Sequence, residues 1–228
     1  LFTAAVEMDD EEEAYLLQAV NDCFTPQLGR EDILWRYAGV RPLCDDDSAR
    51  ASDISRDYIL ELGLDDDDTA PLLSIFGGKI TTYRKLAETA LAQLKPFLPQ
   101  MDGDWTSKAP LVGGDIGGYG KEAYEQWLQS QANKYPWLAK TLLARLGRAY
   151  GSQLHEVLMG ATAMADMGLC FGADLYQREV EYLVAKEWAR SSEDILWRRS
   201  KLGLYFTPAQ ADRLEAFVGA LNQNSAQH

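Results

Sequence analysis

The stretch Leu72-Leu73-Ser74-Ile75-Phe76-Gly77-Gly78-Lys79-Ile80-Thr81-Thr82-Tyr83-Arg84 decides the local fold. A short apolar run predicts a buried strand, and the two glycines after it predict a turn. Apolar residues then recur at the spacing of one helix face: Tyr83, Ala87, Ala90 and Leu94. The pattern therefore predicts a strand, a glycine turn and a helix in direct succession.

The glycine turn carries the residue types of a site for an anion or a polarised carbonyl. Gly77 and Gly78 allow a ligand to approach the backbone, and the free N–H groups of the following helix favour negative charge. Lys79 adds a full positive charge at the same point. The alternative interpretation is an ordinary joint between a strand and a helix.

The rest of the chain shows two kinds of sequence pattern. Up to residue 98 the pattern is mixed, with a helix predicted over Glu12–Phe24 and strands over Ile33–Val40, Tyr58–Leu62 and Leu72–Phe76. Residues 99–120 are rich in proline and glycine and are interpreted as a linker. Residues 121–228 are predicted to be all-helical. The fold class is therefore α+β, with a mixed strand and helix domain over 1–98 and a helical cap domain over 121–228.

Two helix starts in the C-terminal part are predicted from capping signals. Pro136 is well placed to begin a helix, because proline at the first position forfeits no hydrogen bond. Thr207, Pro208 and Gln210 supply an N-cap, a first-position proline and a capping-box partner for the last helix.

Charge and cysteine content exclude several classes of protein. The net charge is −13, and residues 1–70 hold 19 acidic side chains against 5 basic ones. Phosphate neutralisation needs clustered cations, so a nucleic-acid binder is not expected. Three scattered cysteines and two histidines favour a reducing compartment and offer no metal-ligand spacing. We expect no metal site.

Three arginines lie within or beside the short predicted strands of the acidic region: Arg36, Arg41 and Arg56. Guanidinium groups bind carboxylates and phosphates with two parallel hydrogen bonds. The sequence leaves two interpretations open, a bound anionic ligand or ion pairs with the many nearby carboxylates.

Several motifs together resemble the C-terminal half of the FAD-dependent glycerol-3-phosphate dehydrogenases of the respiratory, aerobic bacterial type. They are Asp32-Ile33-Leu34-Trp35-Arg36-Tyr37-Ala38-Gly39-Val40-Arg41-Pro42-Leu43, Ser55-Arg56-Asp57-Tyr58, Phe76-Gly77-Gly78-Lys79-Ile80-Thr81-Thr82-Tyr83-Arg84, Glu181-Tyr182-Leu183-Val184-Ala185-Lys186-Glu187-Trp188-Ala189-Arg190 and Asp194-Ile195-Leu196-Trp197-Arg198-Arg199-Ser200-Lys201-Leu202-Gly203. The similarity covers nearly the whole chain in the family's order. It implies that residues 1–98 are the C-terminal part of the FAD- and substrate-binding domain and that residues 121–228 are the helical C-terminal cap. The N-terminal dinucleotide fold, most FAD contacts and the usual catalytic base of the family have no counterpart here, so we expect a fragment that is inactive alone.

The resemblance implies hydride transfer from sn-glycerol 3-phosphate to FAD, with dihydroxyacetone phosphate as the product. Arg56 is expected to hold the substrate phosphate, and Arg41 to sit near the reacting hydroxyl and the flavin carbonyl. Lys79 joins Arg41 as an expected catalytic residue. The flavin is expected to contact Gly77, Gly78, Lys79, Ile80 and Thr81.

The resemblance also implies a quinone electron acceptor, a homodimer and a cytoplasmic location, peripheral on the inner membrane. Two alternatives remain open from the residues themselves. One is an acidic, helix-rich interaction module without catalysis, and the other is a sibling oxidase that passes electrons to oxygen.

Overall fold

A computed structural model describes residues 6–39, 57–64 and 70–225 of the chain. The chain divides into two compact units, Leu1–Ala109 and Pro110–His228. The division falls within residues 99–120. Each unit is described by itself below.

The first unit begins with helix α1, Asp10–Cys23, which confirms the helix predicted over Glu12–Phe24. Asp9 caps it, since its carboxylate accepts the Glu12 N–H at 2.8 Å while the Glu12 carboxylate accepts the Asp9 N–H at 3.2 Å. Four acidic residues in the first turn also favour the positive end of the helix. One of them, Glu13, is buried.

Strands β1, Tyr58–Gly63, and β2, Leu72–Gly77, form an antiparallel pair, which confirms both predicted strands. Tyr58 lies opposite Gly77, and Gly63 lies opposite Leu72. Neither face of this ribbon is fully covered, because its apolar side chains are half-buried or exposed. The prediction that the run before Gly77 is a buried strand is therefore wrong as to burial, since no described element covers it fully. A two-stranded ribbon with open faces is marginal by itself.

The strand predicted over Ile33–Val40 is not observed. Residues 33–39 form no strand, and Val40 lies outside the described residues. The sequence pattern identified a segment suited to a sheet, but a strand exists only where a neighbour pairs with it. The described part of the chain supplies no such neighbour for residues 33–39.

After β2 the chain forms a 3₁₀ turn, Ile80–Thr82, and then helix α2, Tyr83–Leu94, as the opening stretch predicted. A second 3₁₀ turn, Lys95–Phe97, ends this element. Glu88 is buried on α2 and fixes the loop that follows it. The carboxylate accepts hydrogen bonds from Arg84 Nη1 at 2.7 Å and from the Thr106 hydroxyl.

The second unit contains five α-helices among its described residues: α3 Gly120–Lys134, α4 Lys140–Tyr150, α5 Leu154–Val157, α6 Gln177–Lys186 and α7 Pro208–Ser225. One hydrophobic core joins them, and its fully buried members include Leu142, Leu146, Leu154, Phe171, Leu175, Leu183, Ile195 and Leu214. The helix start predicted at Pro136 is wrong by one turn, because α4 begins at Lys140.

The prediction for the last helix is confirmed. The Thr207 N–H donates to Gln210 Oε1 at 2.9 Å, and the Gln210 N–H donates to the Thr207 hydroxyl at 3.4 Å. These reciprocal bonds satisfy groups that a helix start leaves unpaired.

The all-helical expectation for residues 121–228 is wrong at one place, where β3, Cys170–Gly172, pairs antiparallel with β4, Leu175–Tyr176. The turn between them holds Ala173 and Asp174 at φ values of 45° and 60°. Such a turn normally uses glycine, asparagine or aspartate, so Ala173 is the unusual residue in it. The wider α+β fold class holds, since the chain combines helices with two small sheets.

Residues 110–120 pack against the end of α4. The Ser152 N–H donates to the Gly113 carbonyl at 3.0 Å, and the Ser152 hydroxyl bonds Asp115. Gly151 has φ 52°, and a Cβ at this position would overlap the Gly113 carbonyl oxygen. This close approach of two backbone segments requires glycine.

Candidate functional site

The predicted ligand turn lies at the end of the β1–β2 ribbon. Gly77 and Gly78 have φ values of 72° and 101°, which side chains rarely adopt. A Cβ on Gly78 would lie 3.6 Å from Tyr58 Cβ and from Leu86 Cδ2, which is ordinary contact. Both glycines are therefore favoured by the backbone conformation, and at Gly78 the space would admit a Cβ.

Lys79 connects this turn to the helix. Its carbonyl accepts hydrogen bonds from both the N–H and the hydroxyl of Thr82, each at 3.0 Å. Its ammonium lies 3.6 Å from Asp57 Oδ1, because Tyr58 pairs with Gly77 and brings the residue before β1 alongside the turn. The Lys79 side chain is half-exposed and Asp57 is 85% exposed, so this ion pair contributes only about 0–1 kcal/mol.

The residues at the turn combine positive charge with an exposed apolar side chain. The helix start contributes partial positive charge, Lys79 contributes a full one, and the first turn of α2 contains no acidic side chain. Ile80 is 88% exposed, so its apolar side chain is available to a planar ligand. Thr81 is also exposed at this point. The donors present suit an anionic or carbonyl-bearing group.

The two predicted substrate-binding arginines, Arg41 and Arg56, lie outside the described residues. Arg36 is described, and its Nη2 lies 2.6 Å from Glu13 Oε2. Arg30 binds the same buried carboxylate. For Arg36 the ion-pair interpretation is therefore the correct one, with Glu13 joining α1 to the segment that follows.

A cleft of about 390 Å³ opens between α2 and residues 101–106. It is lined by Glu88, Leu91 and Lys95 of the helix and by Trp105 of the loop, among others. None of the predicted site residues lines it. The cleft and the glycine turn are therefore separate features of the first unit.

Sequence reasoning missed a buried polar cluster, which lies in the second unit. Glu179 is buried and accepts two hydrogen bonds from Arg145, at 2.8 and 2.6 Å, and one from the Tyr150 hydroxyl at 2.8 Å. Arg145 Nη2 also donates to the Asp174 carbonyl at 2.7 Å. One guanidinium thus joins α4, α6 and the β3–β4 turn.

The electrostatics of this cluster follow from its burial. Burial raises the pKa of the Tyr150 hydroxyl well above its ordinary value, and the negative charge of Glu179 raises it further. Burial alone would lower the pKa of Arg145, but its bonds to Glu179 outweigh that effect and raise it. A signal existed in the sequence, because Glu179 lies four residues before the core residue Leu183 on the same helix face.

Other arginines of the second unit donate to backbone carbonyls. Arg178 bonds the carbonyls of Asp166 and Met159, and Arg213 bonds those of Cys170 and Phe171. These guanidinium groups hold loops in place, so they are engaged within the fold.

Two properties of the described residues bear on function. Histidine, cysteine and carboxylate side chains form no group of three that could hold a metal ion within the described ranges. Among the described helices, none combines the length and the apolar content needed to cross a bilayer.

Comparison with known proteins gives a family match and several similar enzymes. Residues 105–224 match the family described as the C-terminal domain of alpha-glycerophosphate oxidase. Glycerol-3-phosphate dehydrogenase of Pseudomonas aeruginosa is 50% identical over 215 residues, covering 94% of this chain and 41% of that protein. Aerobic glycerol-3-phosphate dehydrogenase of Escherichia coli is 42% identical over 214 residues, covering 94% and 42%. D-erythritol 1-phosphate dehydrogenase of Brucella abortus is 46% identical over 205 residues, covering 90% and 40%.

These matches are to enzymes, and they do not support the alternative of an acidic interaction module. The chain spans about two fifths of the length of the curated relatives it matches. It belongs to the family of glycerol-3-phosphate dehydrogenases and alpha-glycerophosphate oxidases and contains that family's C-terminal domain.

Proposed function

We propose that this chain is the C-terminal part of an FAD-dependent enzyme that oxidises sn-glycerol 3-phosphate to dihydroxyacetone phosphate. The observation that carries the proposal is the match of more than 90% of the chain to proteins named glycerol-3-phosphate dehydrogenase. FAD, when bound, supplies the acceptor for the hydride from the substrate carbon.

In this proposal the glycine turn forms one wall of the flavin site. Backbone N–H groups near Gly77 and Gly78 approach the carbonyl edge of the ring, and the apolar side chain of Ile80 faces it. Lys79 and the helix start at Thr81 supply positive charge where negative charge develops. The exposure of Ile80 and Thr81 supports a ligand at this surface.

Arg56 is proposed to hold the substrate phosphate, and Arg41 to orient the reacting hydroxyl beside the flavin carbonyl. A guanidinium suits a phosphate because it donates two parallel hydrogen bonds. Asp57, the residue after Arg56 in the sequence, lies beside Lys79, and this supports a common site for the phosphate and the flavin.

For the complete enzyme we propose electron transfer to a membrane quinone, a peripheral location on the cytoplasmic face of the inner membrane, and a homodimer. The description of the matched family as an oxidase favours a second acceptor, oxygen, which would yield hydrogen peroxide. The similarity to an enzyme named for D-erythritol 1-phosphate favours a second substrate, a longer polyol phosphate.

We expect the chain alone to fold but to remain colourless. The first unit exposes apolar side chains on both strands, including Ile59 at 47% on β1 and Leu72 at 70% on β2, so these strands leave apolar surface available to the missing part of a binding site. A few backbone donors cannot offset the entropy lost when a ligand as large as FAD is immobilised. A yellow preparation with stoichiometric FAD would contradict this expectation.

The experiment uses the full-length enzyme. Anaerobic mixing with sn-glycerol 3-phosphate should bleach the flavin, and D-erythritol 1-phosphate at the same concentration should act more slowly. Faster reduction of the flavin by D-erythritol 1-phosphate would identify that ester as the preferred substrate. Reduction of the flavin by neither compound would refute the proposal. Turnover with a quinone analogue, compared with peroxide production in air, identifies the acceptor.

The phosphate role of Arg56 is tested by two variants of the same enzyme. Arg56→Ala should raise KM about ten- to a hundredfold, because a charged hydrogen bond contributes roughly 1.5–3 kcal/mol. Arg56→Lys should raise it less. Arg41→Ala should instead lower kcat. An unchanged KM in Arg56→Ala would remove the phosphate assignment.

A further inference from the structure

Lys79 is held at both ends by residues outside the expected site. At the backbone end, its carbonyl accepts hydrogen bonds from the N–H and the hydroxyl of Thr82, each at 3.0 Å. At the far end of the side chain, the ammonium lies 3.6 Å from Asp57 Oδ1. Among the described residues, Asp57 is the only one whose carboxylate lies within 4 Å of this ammonium. The position of the charged group is therefore set by Asp57.

The pairing of the two strands brings Asp57 to this point. Tyr58 lies opposite Gly77, so the residue before β1 and the residues after β2 meet at the same end of the ribbon. Glu61, the acidic residue within β1, lies opposite Ser74. At about 3.3 Å per strand residue, Glu61 is about 13 Å from Asp57 along the ribbon. The ribbon thus carries one carboxylate at the glycine turn and another away from it.

The ion pair limits the directions that the Lys79 ammonium samples. A lysine side chain has a flexible four-carbon stem and three N–H donors, so without a partner its charge is spread over many positions. The Asp57 carboxylate favours those positions in which the ammonium stays beside the turn. Lys79 is 48% exposed and Asp57 is 85% exposed, and an exposed pair shifts such a distribution by up to about fivefold.

The Asp57 charge has two effects of opposite sign on the chemistry at the turn. It opposes directly any negative charge that develops there, although water and salt screen this effect because Asp57 is exposed. It favours the same negative charge indirectly, because it keeps the Lys79 ammonium close. The sign of the rate change on removal of the carboxylate therefore distinguishes a positioning residue from an opposing charge.

We propose that Asp57 is a positioning residue for Lys79, which holds the ammonium at the glycine turn while the polyol phosphate is oxidised and does not contact the substrate itself. The inference rests on the proposed function, in which Lys79 supplies positive charge where negative charge develops. It adds to that function the residue that keeps this charge in place.

Flavin reduction by substrate in the full-length enzyme tests the proposal. Asp57→Asn should slow reduction about fivefold per bound flavin, with less than about a twofold change in KM. The same substitution in a Lys79→Met background should leave the rate unchanged, because Asp57 acts through Lys79. Asp57→Glu keeps the charge and should recover most of the lost rate. Glu61→Gln is the matched control, since it removes a carboxylate from the same ribbon and should have no effect on the rate.

Four results would overturn the proposal. An unchanged rate in Asp57→Asn would leave the ion pair without a role in the reaction. A faster rate would show that the carboxylate acts as an opposing charge. Equal slowing with and without Lys79 would show that Asp57 acts by another route. Failure of Asp57→Asn to fold, with Asp57→Glu folded, would make Asp57 a structural residue.

Zero-length cross-linking tests the contact without any measurement of activity. A carbodiimide joins a carboxylate to an amine only where the two groups are in contact. It should join Asp57 to Lys79 both in the 228-residue chain and in the full-length enzyme, and it should not join Glu61 to Lys79. Peptide mapping identifies the product, and its absence from the full-length enzyme would overturn the proposal.

The choice of substrate separates this proposal from the proposed function. The rates are measured with whichever ester reduces the flavin, sn-glycerol 3-phosphate or D-erythritol 1-phosphate. Activity with D-erythritol 1-phosphate alone would refute the proposed function, and the Asp57 variants would still decide the role of Asp57. Normal activity with sn-glycerol 3-phosphate and an unaltered rate in Asp57→Asn would refute only the positioning role. Reduction by neither ester would refute both.

Discussion

Removing either member of the Arg145–Glu179 pair should destabilise the second unit, and the two changes should differ in size. Arg145→Met leaves the Glu179 carboxylate, which is 1% exposed, without its counter-ion and with no access to water. Breaking a buried pair in this way costs about 3–5 kcal/mol. Glu179→Leu leaves a guanidinium that is 24% exposed and can turn partly to solvent, so we expect about 2 kcal/mol.

The double variant should recover much of the loss. Replacing both charges with apolar groups of similar volume removes the unpaired ion, and such replacements are often nearly neutral. The Asp174 carbonyl still loses its donor and the buried Tyr150 hydroxyl loses its acceptor, which together cost about 2 kcal/mol. The double variant should therefore be more stable than Arg145→Met alone, with a coupling energy of about 2 kcal/mol or more.

Hydrogen exchange of the α4 and α6 amides is the appropriate assay, because a chain with two units need not unfold in one step. Lys121→Met is the control, since Lys121 is 82% exposed and its partner Glu125 is 60% exposed, so the loss of this pair should cost less than about 1 kcal/mol. Equal single effects that add within about 0.5 kcal/mol in the double variant would refute the reasoning.

Three further predictions concern other features of the chain. Tyr150→Phe should make the alkaline loss of stability shallower, because the raised folded pKa of Tyr150 gives stability that is present below pH 10 and falls above it by about 1.4 kcal/mol per pH unit, while Tyr176 and Tyr182 still contribute to the loss. Denaturant unfolding between pH 9 and 11 measures the difference, and parallel slopes would contradict the assignment. Gly151→Ala should lower the free energy of unfolding by about 3 kcal/mol, because the new Cβ would overlap the Gly113 carbonyl oxygen. Gly160→Ala, at φ 75° with open space around it, should lower it by only about 1 kcal/mol, and equal losses of stability in thermal melts would count against the contact at Gly151. In the full-length enzyme, Lys79→Met should slow flavin reduction by about two to three powers of ten in stopped-flow measurements. A rate within about threefold of that of the unmodified enzyme would show that Lys79 only forms its surface ion pair with Asp57, which contributes about 0–1 kcal/mol.

Elements whose determinants are local in sequence were predictable. The apolar run before Gly77, the periodicity after it and the capping signals at Thr207 each specify structure within a few residues, and all three are observed. The glycine turn was predictable for the same reason, since only glycine adopts its φ values readily.

Elements that depend on distant contacts were not predictable. The β3–β4 turn at Ala173 and Asp174 has no glycine or asparagine signature, and a bond from Arg145, 29 residues earlier, holds it. The buried carboxylate of Glu179 is satisfied across 34 residues of sequence. Spacing can show that such a residue falls on an apolar face, but it cannot identify the guanidinium that balances its charge. Arg41 and Arg56 lie outside the described residues, so their roles stay predictions.

The open ribbon of β1 and β2 has a consequence for the behaviour of the chain in solution. Among the described residues each strand has one neighbour, so its outer row of peptide groups is a template for pairing with another molecule. Aspartates flank strand β1 in the sequence, with Asp57 before it and the run Asp65–Asp68 soon after it. Charges in these positions act as gatekeepers against aggregation. The acidic residues among the first 70 therefore help to prevent association between chains, because protonation of these carboxylates would remove the repulsion between one ribbon and another.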